Sequence, residues 1–172
     1  MLKTNTTKKP KTKKGIDVFI SHSSKDVRVA SLLIVILRLA LNIPANRIRC
    51  TSVPGYKLPA GTLTDMQLRS EIASSKVFIW MVTPAANRSA YVQTEVGARW
   101  HSNQNLIPFI VSKSGTRLLK APLKNMHALN GAKTEDVFQL VIELARELNI
   151  EPEAPSVYSD KIEELVKLIQ PK

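Results

Sequence analysis

The sequence predicts an α/β domain in which a doubly wound sheet of parallel strands is covered by helices on both faces. Three observations carry the prediction. Short apolar runs alternate with helical patterns five times along the chain. Hydrophobic residues make up 44% of the composition but aromatic residues only 5%, so the core must be packed from Val, Ile, Leu and Ala, as in strands buried on both faces. The length of 172 residues suits one domain with a core of its own.

The elements follow in order. After Gly15, the run Ile16-Asp17-Val18-Phe19-Ile20 reads as a buried strand over 16–20. Hydroxyls of the Ser21-to-Ser24 stretch can cap a helix over 25–41, which stops before Pro44. A second strand spans 47–52, and two prolines with two glycines make 53–61 a loop. A helix over 64–74 carries Met66, Leu68, Ile72 and Ala73, and the almost wholly apolar third strand, 76–82, is expected to be central. Residues 83–90 read as a loop, and 91–102 as a helix with Val92, Val96 and Trp100 at a three-to-four spacing. The fourth strand covers 105–111, and a short fifth is placed at 127–129 in a stretch broken by Gly115, Pro122 and Gly131. Thr134 is expected to cap a strongly amphipathic helix ending near Leu148. Acidic, proline-containing 151–157 reads as a linker, and 158–172 holds a last helix that either packs on the same domain or leads to another domain or partner. Five strand-then-helix units joined by right-handed crossovers give a five-stranded sheet of the flavodoxin type.

Charge divides the chain. Twenty-five basic and 14 acidic residues give +11, but six of the charges are lysines between Lys3 and Lys14, and the remainder carries +5. Residues 1–14 therefore read as a disordered basic arm before a domain at 15–150. The arm has no aromatic residue for base stacking, which ranks nucleic-acid binding lowest among the functions weighed. The single cysteine, Cys50, excludes an intramolecular disulfide framework and a Cys-rich zinc site, and suits a reducing, cytoplasmic compartment. The most apolar stretch, Val29 to Leu41, is too short for a membrane span and contains Arg38. The N-terminus lacks the apolar segment of a secretory signal.

Ligands of such sheets bind at the carboxyl ends of the strands. The six glycines, at 15, 55, 61, 97, 115 and 131, form neither nucleotide fingerprint. His22, His101 and His127 have no metal-ligand spacing and no G-x-S-x-G elbow occurs, so no metal is expected. His22, after the first strand, is expected to be solvated or a structural hydrogen-bonding residue. Ser89-Ala90-Tyr91-Val92-Gln93-Thr94-Glu95 brings a hydroxyl, an aromatic ring and a carboxylate to one helix start, with Tyr91 and Glu95 on one face. On spacing alone, Glu95 is a first-turn acid favoured by the helix dipole and Ser89 is a cap.

Asp17-Val18-Phe19-Ile20-Ser21-His22-Ser23-Ser24-Lys25-Asp26 resembles the opening motif of Toll/interleukin-1 receptor (TIR) domains, particularly the bacterial type. The loop from Val53 to Gly61 resembles the BB loop that follows the second TIR strand. Ser89-x-Tyr91-x-x-x-Glu95 falls where NAD-cleaving members carry Ser-x-Trp-x-x-x-Glu, and the resemblance covers about 16–148. It implies the TIR fold and a choice between two activities. One is cleavage of NAD+, as substrate with no separate cofactor, to nicotinamide and either ADP-ribose or a cyclic variant. The other is a non-catalytic adaptor that acts by assembling with other TIR domains.

For the enzyme, the resemblance implies Glu95 as the catalytic residue and Tyr91 as a platform for nicotinamide or ribose. Ser89 would bind a ribose hydroxyl or cap its helix, while Phe19, Ser21 and Lys25 would contact adenosine or phosphate. Tyr56, Lys57 and Leu58 of the BB loop would meet the nucleotide or a neighbouring protomer. It also implies homotypic TIR–TIR assembly that closes the site, an activating partner protein or fused domain, and a setting in bacterial anti-phage defence or signalling. Arg99 and Trp100 are expected to be structural, through a salt bridge and core packing, and Cys50 to be a small buried hydrophobe.

Overall fold

The computed structural model describes residues 15–61, 63–112 and 115–170; the expected basic arm lies outside them. Five strands, β1 (Val18–Ser21), β2 (Ile48–Arg49), β3 (Val77–Val82), β4 (Leu106–Ile110) and β5 (Leu129–Asn130), form one parallel sheet in the order β2-β1-β3-β4-β5. The chain leaves β1 on one side for β2 and returns on the other for β3. That reversal opens a crevice at the carboxyl ends of β1 and β3.

The helices are α1 (Val27–Leu41), α2 (Thr64–Ser74), α3 (Pro84–Arg88), α4 (Ala90–His101), α5 (Thr134–Leu148) and α6 (Ser159–Ile169). Strand alternation sorts the core into two layers. Val18, Ile20, Val77, Ile79 and Met81 face α1, α5 and α6. Phe19, Phe78, Trp80 and Val82 face the layer of α2, α3 and α4. Ile162, Leu165 and Ile169 of α6 are buried against the same core as α1 and α5. The backbone N–H of Glu153 donates to Ala40 O at 2.8 Å, so the segment before α6 is strapped to the end of α1. At the amino ends of the strands, Asp17 pairs with Arg47 and with Lys76.

Several local expectations are corrected. β2 is two residues long, because after Arg49 the backbone turns: Cys50 N–H donates to Tyr56 O and Val53 N–H to Cys50 O. Residues 84–88, expected as loop, form α3, since Thr83 Oγ1 accepts from Ala86 N–H at 2.9 Å and Pro84 occupies the first helical position. Thr134 begins α5 without capping it; nearby, Asp136 accepts from Asn130 N–H instead. Ser23 does cap, but it caps the short 3-10 turn Ser24–Asp26 that leads into α1. β5 ends at Asn130, and at Gly131 just after it a Cβ would meet the Phe109 ring at 2.7 Å, so only glycine lets the strand exit pack this closely. Among the described residues, no helix is long and apolar enough to cross a membrane.

Candidate active site

The site starts from the end of β1. Ser21 continues the alternation of Phe19 towards α2 and α4, and its hydroxyl donates to Glu95 Oε2 at 2.5 Å. On α4 the buried positions are Val92, Glu95, Val96 and Arg99, a stripe at i, i+3, i+4 and i+7. Glu95 therefore stands where a core hydrophobe would and is only 6% exposed. It lies past the first turn, which carries no acid, so the helix-dipole account of it is overturned. Burial pushes its carboxyl up to about 7, against the opposing effect of the Ser21 hydrogen bond.

Glu95 borders a groove of about 550 Å³ between α2 and α4, with Leu68, Ile72 and Ala73 on one wall and Tyr91 and Ala98 on the other. Tyr91 is 52% exposed, with its hydroxyl's pKa raised by partial burial and by the carboxylates of Glu95 and Asp65. Ser89 caps α4 by accepting from Val92 N–H at 3.3 Å.

The other implied residues are dispersed. Phe19 is fully buried and stacked in parallel on Phe78, 5.2 Å between centroids, which places it in the core and not on the groove wall. Lys25 is exposed on the 3-10 turn. Tyr56 turns towards α1, where its hydroxyl accepts from Arg38 Nη1 at 3.3 Å. Leu58 packs on the α2–α4 core layer, and Lys57 is exposed.

The loop carrying these three residues is anchored by a residue that sequence reasoning missed. Arg49 is buried and donates to Tyr56 O at 3.1 Å and Lys57 O at 2.5 Å. Its guanidinium also grips Glu71 of α2 in two places, Nε to Oε2 at 2.5 Å and Nη2 to Oε1 at 2.8 Å, while Gln67 donates to the same carboxylate. The available signal was a charge on each buried stripe: Arg49 on a strand, and Glu71 three residues after Leu68 on α2.

Arg99 is structural as expected but not through a salt bridge, and Trp100 is not packed in the core. Arg99 is buried and, among the described residues, has no carboxylate partner; it donates to Ile72 O at 2.8 Å, Ser75 O at 2.9 Å and Asn105 O at 3.1 Å, and to the Gln104 side chain. It so joins the electronegative end of α2 to the start of β4. Trp100 is 49% exposed and lines a second groove, of about 460 Å³, beyond α4.

At the neighbouring strand ends, His22 Nδ1 lies 3.3 Å from Ile20 O, and Nε2 is hydrogen-bonded to Ser52 Oγ. Cys50 Sγ is 3.6 Å from His22 Nδ1. The Cys50 thiol is fully buried, as expected of a small hydrophobe, and is pushed up to about 12 by burial, with the charge of Glu95 adding to the shift.

Comparison with known proteins follows the same outline. The family model described as TIR domain matches residues 18–142. The chain is also 26% identical over 129 residues to "Uncharacterized protein YddK" of Bacillus subtilis (strain 168), an alignment covering 75% of this chain and 48% of that protein. The chain thus spans about half the length of this curated relative.

Proposed function

From the premise that this chain belongs to the TIR domain family, we propose that it cleaves the nicotinamide–ribosyl bond of NAD+, with Glu95 as the catalytic carboxylate. One observation carries the reading: a carboxyl buried in the stripe of α4, held by Ser21 and bordering a groove beside an exposed aromatic ring.

The reaction asks little of acid catalysis. The bond from ribose C1′ to the pyridinium nitrogen breaks with both electrons passing to nitrogen, so nicotinamide departs neutral. Positive charge then builds on C1′ and the ring oxygen. A carboxylate held in a low-dielectric site stabilises that charge far more than one in water does. Its raised pKa, about 7, means that the unliganded site is part-protonated at neutral pH and that cleavage rises as pH is raised through that value. Ser21 orients the carboxylate, and Tyr91 offers a face to the nicotinamide or the ribose.

Leu63 and Met66 stand 74% and 71% exposed at the start of α2, whose following residues wall the groove, and Tyr91 is an exposed ring on its other margin. Homotypic TIR–TIR assembly covers these side chains and closes the site, so activity is gated by association. Water as acceptor gives ADP-ribose; a hydroxyl or the adenine of the same molecule gives a cyclic product. Bacterial anti-phage defence or signalling is the setting the family resemblance implies.

Nicotinamide release from NAD+ tests the proposal, measured over rising protein concentration with and without a crowding agent. Release that grows faster than linearly and disappears in Glu95→Ala is expected. Silence under every condition would overturn the enzyme and leave the assembly adaptor.

A further inference from the structure

We propose that Ser52 is a nucleophile, with His22 as its base, and that it accepts the ADP-ribosyl group within this chain. The proposal rests on the NAD+ reading above and adds a modification site to it.

Register brings the pair together. β1 and β2 run parallel with Phe19 level with Arg49, so His22 and Ser52, each three residues further on, leave the sheet side by side. Three parts of an activated nucleophile are present. The nucleophile is the half-buried Ser52 hydroxyl. The base is His22, buried and hydrogen-bonded through Nε2 to that hydroxyl. The orienting group is the Ile20 carbonyl, 3.3 Å from Nδ1. With Nδ1–H donating to that carbonyl, the lone pair of Nε2 is left to accept the serine proton. Burial lowers the proton affinity of His22, although the Asp26 carboxylate opposes the shift, so the ring is a neutral base at pH 7. The Cys50 thiol against the ring stays protonated and adds no charge.

The pair also stands beside the cleaving group. Ser21, which holds Glu95, is the chain neighbour of His22, and Cys50, two residues before Ser52, feels the charge of Glu95. On this proposal, the ribosyl cation that forms against Glu95 is captured at this end of the strands, where the activated hydroxyl stands. In the step, the C1′–nitrogen bond breaks with its electron pair going to nicotinamide. A lone pair of Ser52 Oγ forms the C1′–O bond, and the hydroxyl proton passes to His22 Nε2 and on to solvent. The sum is NAD+ and the chain giving nicotinamide, the ADP-ribosylated chain and a proton, with no oxidant or reductant.

The experiment incubates the full chain with NAD+ at assembling concentration and measures nicotinamide alongside intact and peptide masses. An ADP-ribose adduct on Ser52 is expected, stable to neutral hydroxylamine, which strips adducts ester-linked to a carboxylate. Ser52→Ala removes the adduct. His22→Gln, which keeps a hydrogen-bonding side chain but no base, lowers adduct formed per nicotinamide released about 100-fold; thermal melting of the variant separates loss of the base from loss of the fold, and His22→Asn replaces it should it fail to fold. Nicotinamide release with no adduct, or an adduct at another residue, overturns the acceptor role alone, and an unchanged ratio in the folded His22 variant overturns His22 as its base. No nicotinamide release at any concentration overturns the NAD+ reading, and this proposal falls with it.

Discussion

Helices α1, α5 and α6, on one face of the sheet, bury only apolar side chains, whereas α2 and α4 on the other bury Glu71, Glu95 and Arg99 among theirs. Both layers take their strand residues from the same β1 and β3, one residue out of step. The apolar layer draws its stability from area removed from water, about 1.5–3 kcal/mol for each fully buried aliphatic side chain, and none of the side chains its helices bury is ionisable. Charge buried in the second layer is tolerable only because it is hydrogen-bonded. Arg49 and Arg99 find carbonyls and a carboxylate to fill their forks, while Glu95, among the described residues, has one hydroxyl, from Ser21. That shortage separates a structural ion pair from a group left available for chemistry.

The largest test of this contrast is on Glu95. Its replacement by Ala is expected to lower nicotinamide release about 1000-fold, since a charge-stabilising group is lost where positive charge develops. The fold should survive, and thermal melting at pH 8 should hold steady or rise. A variant that loses activity only because it unfolds would move Glu95 into the same class as Glu71.

Next comes the strut. Arg49→Ala strands the buried Glu71 carboxylate and frees two carbonyls of the 50–61 loop, and should cost about 4 kcal/mol in urea denaturation. Glu71→Ala should cost a similar amount, and the double variant clearly less than the sum, because each single change leaves an unpaired charge. Additive losses would show that the pair is not one unit. Proteolysis of Arg49→Ala should also begin within the loop.

The two faces should differ equally in their response to pH. Glu95 has a folded value of about 7 against 4.5 for the free side chain. Between those values the folded chain holds the proton that the unfolded chain has released. Stability therefore falls as pH rises through that window, by about 3 kcal/mol from this one group. Glu95→Gln should flatten that slope. Leu140→Ala, in the buried stripe of α5, should cost about 3 kcal/mol at every pH and leave the slope untouched. A slope unchanged in Glu95→Gln would mean that other groups carry it.

How much of this was legible in the sequence follows the same division. The strands and long helices could be read because alternation and helical period are local, and the apolar layer is nothing more than those periods repeated. On α4 the stripe was set one residue out. Val92, Val96 and Trp100 advance by four, and each such step drifts about 40° around a helix of 3.6 residues per turn, which carries Trp100 to the surface while Glu95 and Arg99 take the inner face. The order of elements and the placing of Ser89 as a cap were recoverable from residue type and spacing alone. The grip of Arg49 on Glu71 and on the loop carbonyls was not, because its partners are 7, 8 and 22 residues away and no short window contains them. For the same reason the pairing of His22 with Ser52 emerges only when β1 and β2 are laid in register.

The smallest effect bears on the boundary between structure and chemistry at Ser89. Its hydroxyl accepts from Val92 N–H at the start of α4, one turn before the stripe that carries Glu95. Ser89→Ala should cost about 1 kcal/mol of stability through the lost cap. If capping is its whole role, nicotinamide release should fall only as far as the helix start loosens, and Ser89→Asp, which caps as well, should restore both stability and release. If the hydroxyl also donates to the ribose, Ser89→Asp will recover the melting temperature while KM for NAD+ stays high, because a carboxylate can only accept from the sugar where the serine hydroxyl donates to it. Stability and KM measured on the same two variants therefore decide whether Ser89 belongs with the packing of α4 or with the groove beside it.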